Sequence, residues 1–217
     1  MIGSTGSGKS TLVKLMNRFY DVSRGSIEIN GVDIRKYNLE SLRAQIGYVA
    51  QKAHMFKGSI QSNICFGKPE ASVEEMVRAA TVAQASDFIS TREHGYEDEI
   101  AEDGTNISGG QKQRLSIARV ILKKPSLYIY DDSFSALDFK TDATLRKALK
   151  PEVKNAIFFV VAQRISTIMD SDMIIVLDEG QIIGMGTHAQ LLKDCSVYQE
   201  IAHSQLTQKE LDDYERN

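Results

Sequence analysis

The chain has 217 residues, 42% hydrophobic and 25% charged, with 15 Gly and 3 Pro. That is globular composition, which excludes low-complexity and fibrous classes and predicts one domain with lobes or insertions. Lys and Arg total 26 against 29 Asp and Glu, a net charge of −3, so any phosphate recognition must be local rather than a global basic pull towards nucleic acid.

Helix-like and strand-like segments alternate along the chain, the pattern of an α/β domain with a mostly parallel core sheet. A first helix is predicted from Lys9 through Leu12, Leu15 and Met16. Asn30-Gly31, flanked by Ile27-Glu28-Ile29 and Val32-Asp33-Ile34, is a two-residue hairpin signal and predicts a small antiparallel β lobe. From about residue 53 to 122 the texture is helical, a helical subdomain in which Ser72 and Glu75 form a capping box opening a helix over Val73–Ala83. Strands are predicted at Ser126–Tyr130, Ala156–Val161 and Met173–Leu177, each apolar enough to be buried on both faces, with a helix over Phe139–Leu149. The domain is expected to span 1–204, and 205–217 to form a polar tail. The longest apolar run, seven residues from Ala156 to Ala162, is far short of the ~20 that a membrane-spanning helix needs. Cys65 and Cys195 lack metal-type spacing and the N-terminus has no signal-peptide pattern, which fits a reducing setting.

Gly3-Ser4-Thr5-Gly6-Ser7-Gly8-Lys9-Ser10, continued by Thr11, fits the P-loop pattern. Glycines let backbone N–H groups curl around phosphate oxygens, Lys9 reaches the β and γ phosphates, the Ser10 hydroxyl meets Mg²⁺, and the following helix aims its positive end at the anion. A P-loop follows a buried strand, yet only Met1 and Ile2 precede Gly3. The strand is therefore expected to be truncated, and the chain to be a fragment of a longer polypeptide. Leu127-Tyr128-Ile129-Tyr130-Asp131 is an apolar strand ending in a carboxylate, the Walker B arrangement that holds water around the same metal.

Ile107-Ser108-Gly109-Gly110-Gln111, followed by Lys112-Gln113-Arg114, resembles the signature motif of ATP-binding cassette (ABC) proteins and lies between the other two motifs in the family's order. Ser108 caps a helix whose N-terminus presents free N–H groups to a second γ-phosphate. Gln51, after Ile46-Gly47-Tyr48-Val49-Ala50, resembles the Q-loop glutamine, which touches the metal or its water. Ser135-Ala136-Leu137-Asp138 resembles the D-loop, and Gln163-Arg164-Ile165-Ser166-Thr167 the switch-histidine segment. Ser59–Ile64 and Glu99–Gly104 resemble segments of the exporter subfamily, the latter its X-loop.

The resemblance covers roughly Ile2 to Ser204. It implies a P-loop NTPase fold of ABC type, binding of ATP with Mg²⁺ through Ser10, Gln51 and Asp131, and ATP hydrolysis coupled to export. It also implies a second cassette and a transmembrane domain as partners, at the cytoplasmic face of the cell membrane, with no nucleic acid. The adenine-stacking aromatic that members carry upstream of the P-loop is not in this sequence.

Two departures fall on one site. Family members place a glutamate after the Walker B aspartate, where this chain has Asp132, and a histidine where it has Gln163. Aspartate is one methylene shorter, and glutamine neither titrates nor carries charge as imidazole does. Cassettes of the family pair head to tail, so both changes weaken the catalytic site over this chain's own Lys9, whereas Ser108, Gly109, Gly110 and Gln111 would serve the partner's nucleotide. The expected arrangement is a heterodimer in which this chain is the degenerate half. Competing expectations are a soluble ABC ATPase acting as a nucleotide-gated clamp, or a non-functional fragment. Other residues invite plainer readings: His188 as a helix-start packing group, His54 and His94 as surface side chains, Lys123 and Lys124 as partners of a helix dipole, Tyr128 and Tyr130 as sheet packing.

Overall fold

The computed structural model describes residues 1–207 and divides into two compact units, residues 28–159 and residues 1–27 together with the chain from Val160 onward. In chain order the elements are α1 (Lys9–Met16), β1 (Glu28–Ile29), β2 (Val32–Asp33), α2 (Leu39–Gln45), β3 (Ile46–Val49), β4 (Gly58–Ser59), α3 (Ile60–Ile64), α4 (Val73–Val82), α5 (Ser86–Ser90) and β5 (Glu99–Ile100). They continue with α6 (Gly109–Lys123), β6 (Leu127–Asp131), α7 (Phe139–Glu152), β7 (Ile157–Val161), α8 (Ile165–Ile168), β8 (Ile174–Asp178), β9 (Gln181–Gly186), α9 (His188–Asp194) and α10 (Ser196–Gln205).

In residues 28–159 the sheet has the order β3-β6-β7, with β3 and β6 parallel in the register Ile46↔Leu127 to Val49↔Tyr130. Helix α6 lies against this sheet because Gly47 leaves room for it: a Cβ there would stand 2.5 Å from Val120 Cγ1. The Asn30-Gly31 turn closes an antiparallel hairpin, Ile29 opposite Val32, with both turn residues at positive φ as a type I′ turn requires. Ser72 and Glu75 make the predicted capping box at the start of α4.

Arg119 of α6 organises the segment between β3 and α3. Its guanidinium donates to the Asn63 carbonyl at 2.8 Å and lies over the stacked rings of Phe56 and Phe66, and burial pulls its pKa down to about 10. Asn63 in turn brackets the Phe56 backbone, accepting from its N–H at 2.9 Å and donating to its carbonyl at 2.8 Å.

In the other unit, Ile2, Ala162, Ile165, Ile168, Ile174, Val176, Leu191, Cys195, Tyr198 and Ala202 form one core. Met1 and Ile2 run through it as a strand. The Met1 amine donates to Val160 O at 2.6 Å, Ala162 N donates to Met1 O at 3.1 Å, and Ile2 pairs in parallel with Val176 of β8.

Two readings need adjustment. Burial on both faces holds for β6, but β7 is mostly half-buried and Ile157 is 67% exposed at its start, so an apolar run overstated the depth of that strand. Lys123 does not serve its own helix: its ammonium reaches the carbonyls of Arg43 at 2.5 Å and Ile46 at 2.8 Å, capping α2, while Lys124 pairs with Glu75. Of the expected polar tail over 205–217, Gln205 closes α10, and residues 208–217 lie outside the described ones.

Tyr130 is fully buried, stacked on Phe134 at 5.3 Å and edge-on to Phe158 at 4.9 Å, and its hydroxyl has no partner among the described residues. An unpaired buried hydroxyl carries a desolvation cost without a compensating bond. Tyr130→Phe is therefore expected to leave stability unchanged or raise it by about 1 kcal/mol in chemical denaturation, where a well-bonded tyrosine would lose about as much.

Candidate functional site

The segment Gly3–Gly8 turns from the buried Met1-Ile2 strand into α1. Gly3 lies so close to β8 that a Cβ would stand 1.9 Å from the Leu177 carbonyl oxygen. Gly8, at φ 101°, is the N-cap of α1 and leaves its first turn without a side-chain cap, and that turn carries no acidic residue. Lys9 is folded into the loop it follows: its ammonium donates to Gly3 O at 2.8 Å, Ser4 O at 2.6 Å and Ser7 Oγ at 3.1 Å. Thr5, Gly6, Ser10 and Thr11 are exposed along the loop and the helix start. A lysine inside a ring of oxygens, exposed hydroxyls at a helix start and no neighbouring carboxylate in that turn suit the phosphates of a nucleotide.

The loop has supports that its own pattern did not announce. Ser4 Oγ donates to Asp178 at 3.0 Å, and Gly180 N donates to Ser7 O at 3.0 Å, so the turn between β8 and β9 braces the loop. Asp178 ends an apolar strand, the same signal that singled out Asp131, and was readable on that ground. In the same unit Gln163 follows β7 with its side chain exposed, and its carbonyl accepts from Gln205 Nε2 at 2.8 Å. His188 packs as expected for a helix-start residue, buried with Nδ1 2.7 Å from the Tyr198 hydroxyl, and burial lowers its pKa.

In residues 28–159 the carboxylates follow β6. Asp131 is buried and accepts from the Tyr48 hydroxyl at 3.3 Å; burial first, then the Asp131 charge, push that phenol up to about 12. Asp132 is buried in a left-handed conformation, φ 48°, and accepts from Gln51 Nε2 at 3.0 Å. The Gln51 amide nitrogen is thus committed to Asp132. Gln113, buried on α6, donates to Ala50 O at 3.1 Å and fixes the backbone next to Gln51. No cluster of three or more His, Cys, Asp or Glu forms a metal cage among the described residues. Within its own unit the buried carboxylate of Asp131 is of the oxygen type that Mg²⁺ takes, an ion that uses few protein ligands and keeps water and phosphate oxygens.

The signature segment is a helix tip. Ser108 Oγ accepts from Gln111 N at 3.3 Å, and Gln111 Oε1 accepts from Ser108 N at 2.9 Å, a complete capping box at the start of α6. Gly109 has open space where a side chain would stand, and a Cβ on Gly110 would lie 3.5 Å from Ala136 O of the D-loop segment. Asp138 caps α7, accepting from Thr141 N at 2.9 Å and Thr141 Oγ1 at 2.7 Å, bonds that lower its pKa.

A P-loop after a buried strand, a carboxylate-ended strand and a glycine-tipped capped helix define a P-loop NTPase cassette. Residues 1–135 match the ABC transporter family, and the chain belongs to it. It is 45% identical over 208 residues to an uncharacterised ABC transporter ATP-binding protein of Mycobacterium tuberculosis, covering 94% of this chain and 35% of that protein. It is 46% identical over 201 residues to a Bacillus subtilis protein provisionally named as a multidrug export ATP-binding/permease protein, covering 93% of this chain and 35% of that one. The structure of a bacterial Atm1-family ABC exporter with ATP bound superposes with a TM-score of 0.92 at 38% identity, covering 95% of this chain and 36% of that chain. The chain thus spans about a third of the length of these relatives.

The two loop glycines should differ in cost. Gly3→Ala forces a backbone clash and is expected to lose at least about 2 kcal/mol. Gly6→Ala meets open space but a φ of 84°, and should lose about 1 kcal/mol. Thermal or urea unfolding of the two variants measures the difference.

Proposed function

We propose that this chain is the ATP-binding cassette of an exporter, and the weakly hydrolysing half of an unequal pair. Gly3, Ser4, Thr5, Gly6, Ser7, Gly8, Lys9, Ser10 and Thr11 bind the phosphates. Ser10, Gln51 through its Oε1, and Asp131 hold Mg²⁺, which when bound neutralises charge on the β and γ phosphates. Gln51 orients Asp132, and Gln163 donates a hydrogen bond to the γ-phosphate. Ser108, Gly109, Gly110 and Gln111 present a helix tip to the nucleotide of a second cassette on a different chain, with Asp138 contributing beside it. A transmembrane domain belongs to the assembly, and the cassette sits at the cytoplasmic face of the membrane. No helix among the described residues is long and apolar enough to cross one.

The observation that carries this reading is Asp132, buried with its carboxylate bonded to Gln51. A glutamate would extend one methylene further, about 1.5 Å along the side chain. A misplacement of about 1 Å in a base that polarises water costs on the order of a hundredfold in rate. Gln163 supplies a neutral amide where charge would be worth more in the transition state. Binding needs neither feature, because Lys9, the loop and the start of α1 are intact, so the site is built to hold ATP longer than to cleave it.

Lys9→Ala should abolish Mg-ATP binding by this chain in equilibrium titration. In the pair, replacing the partner's catalytic glutamate should remove most ATP turnover, while Asp132→Asn changes it by less than about twofold. Brisk turnover by a self-pair of this chain, or greater damage from Asp132→Asn than from the partner substitution, would overturn the assignment.

A further inference from the structure

We propose that Gln205, the last residue of α10, is a positioning residue for Gln163, clamping the backbone on both sides of Arg164 and so fixing the root from which the Gln163 side chain reaches. The nucleotide consequence of this clamp rests on the reading above that Gln163 meets the γ-phosphate.

The short helix after Gln163 has no side-chain cap from its own N-cap residue: helix α8 is four residues long, and Arg164 makes none. The first helical N–H is satisfied from 40 residues away: Ile165 N donates to Gln205 Oε1 at 2.9 Å. The same amide group donates from Nε2 to the Gln163 carbonyl at 2.8 Å. One side-chain amide thus supplies an acceptor and a donor to the two peptide groups that flank Arg164, a pairing no hydroxyl, carboxylate or ammonium can reproduce with both polarities on separate atoms.

Packing aims Gln205 at this position. Tyr198 and Ala202 of α10 are fully buried, and Gln205 continues their i, i+4, i+7 stripe, so it emerges on the face that covers Ile165 and Ile168 of the same core. Its neighbour Leu206 donates its N–H to Ala202 O at 2.8 Å and packs against that core, which closes the helix at this point. Fraying of a single turn at the end of α10 would therefore release both bonds together. A pinned root matters for Gln163 because its side chain is exposed and long, and pinning lowers the entropy lost when it engages a phosphate oxygen.

Two substitutions in the full chain separate the roles. Gln205→Leu keeps bulk and helix propensity and removes both polar atoms, whereas Gln205→Glu keeps the acceptor for Ile165 and loses the donor for Gln163. Hydrogen exchange of the Ile165 amide, read by NMR without nucleotide, should rise about tenfold in the leucine variant and stay near the parent rate in the glutamate variant. Release of a fluorescent ATP analogue with Mg²⁺ should be several-fold faster in both. In a Gln163→Ala background, Gln205→Leu should add no further acceleration, a coupling that a merely structural role would not produce.

Equal Ile165 exchange in the parent and leucine chains would overturn the clamp. An undiminished release effect in the Gln163→Ala background would overturn its action through Gln163. A parent chain that holds no nucleotide would defeat the functional reading and the nucleotide role with it, and the exchange comparison would still decide whether the clamp exists.

Discussion

Everything the phosphate loop does depends on burial of two residues. Met1 and Ile2 are bonded through their backbones to Val160 and Ala162 on one side and to Ile175 and Leu177 on the other. Ile2 is buried completely, and such a side chain contributes roughly 1.5–3 kcal/mol. That anchorage sets the height at which the chain leaves the strand, and the next residue already grazes the Leu177 carbonyl. Only a glycine turns there, and Lys9 then folds back to satisfy the carbonyls the turn exposes. The loop's shape is thus a consequence of strand placement plus one cation, braced by Asp178 and Gly180 from the next turn of the same unit.

In residues 28–159 an equivalent economy operates around the end of β6. Two consecutive aspartates are buried, and each has a neutral donor from the β3 side: the Tyr48 hydroxyl for Asp131 and the Gln51 amide for Asp132. Neutral donors stabilise the charged form of a buried carboxylate. The Gln51 donor is held in turn by the signature helix, since Gln113 of α6 bonds the neighbouring Ala50 carbonyl. The helix whose tip carries Ser108–Gln111 therefore also fixes the segment that orients Asp132.

Much of this was legible from the residues, for identifiable reasons. Local rules worked where the cause is local: Asn30-Gly31 turned the chain, Ser72 and Ser108 capped helices, and Leu127–Tyr130 formed a buried strand one residue out of register with the expected span. The P-loop and Asp131 were readable as candidates because phosphate and metal binding call for residue types at a fixed spacing, and the signature glycines because their segment resembles that of ABC proteins. Long-range partners were not legible. Lys123 capping α2, Gln113 holding Ala50 and Gln205 reaching back to Gln163 join residues far apart in sequence, and no pattern within a window reports them. Gln205 had one readable cue, its place on the buried stripe of Tyr198 and Ala202, but an amide at such a position is ordinarily a solvent-facing helix end.

The left-handed backbone at Asp132 bears on why an aspartate stands there. Such a conformation costs a residue with a long or branched side chain roughly 1–2 kcal/mol, and least for asparagine and aspartate, whose short polar groups bond locally. Asp132 thus carries little strain at this position, and Gln51 holds its carboxylate. The signature tip makes no comparable concession, because its capping box is closed by Ser108 and Gln111 alone and needs nothing from Asp132. The cap of the tip and the hydrogen bond that holds Asp132 use different side chains, so a change of residue at 132 leaves the capping box intact. In the proposed pair, that separability lets a single cassette retain ATP over its own lysine and still complete a working site for its partner.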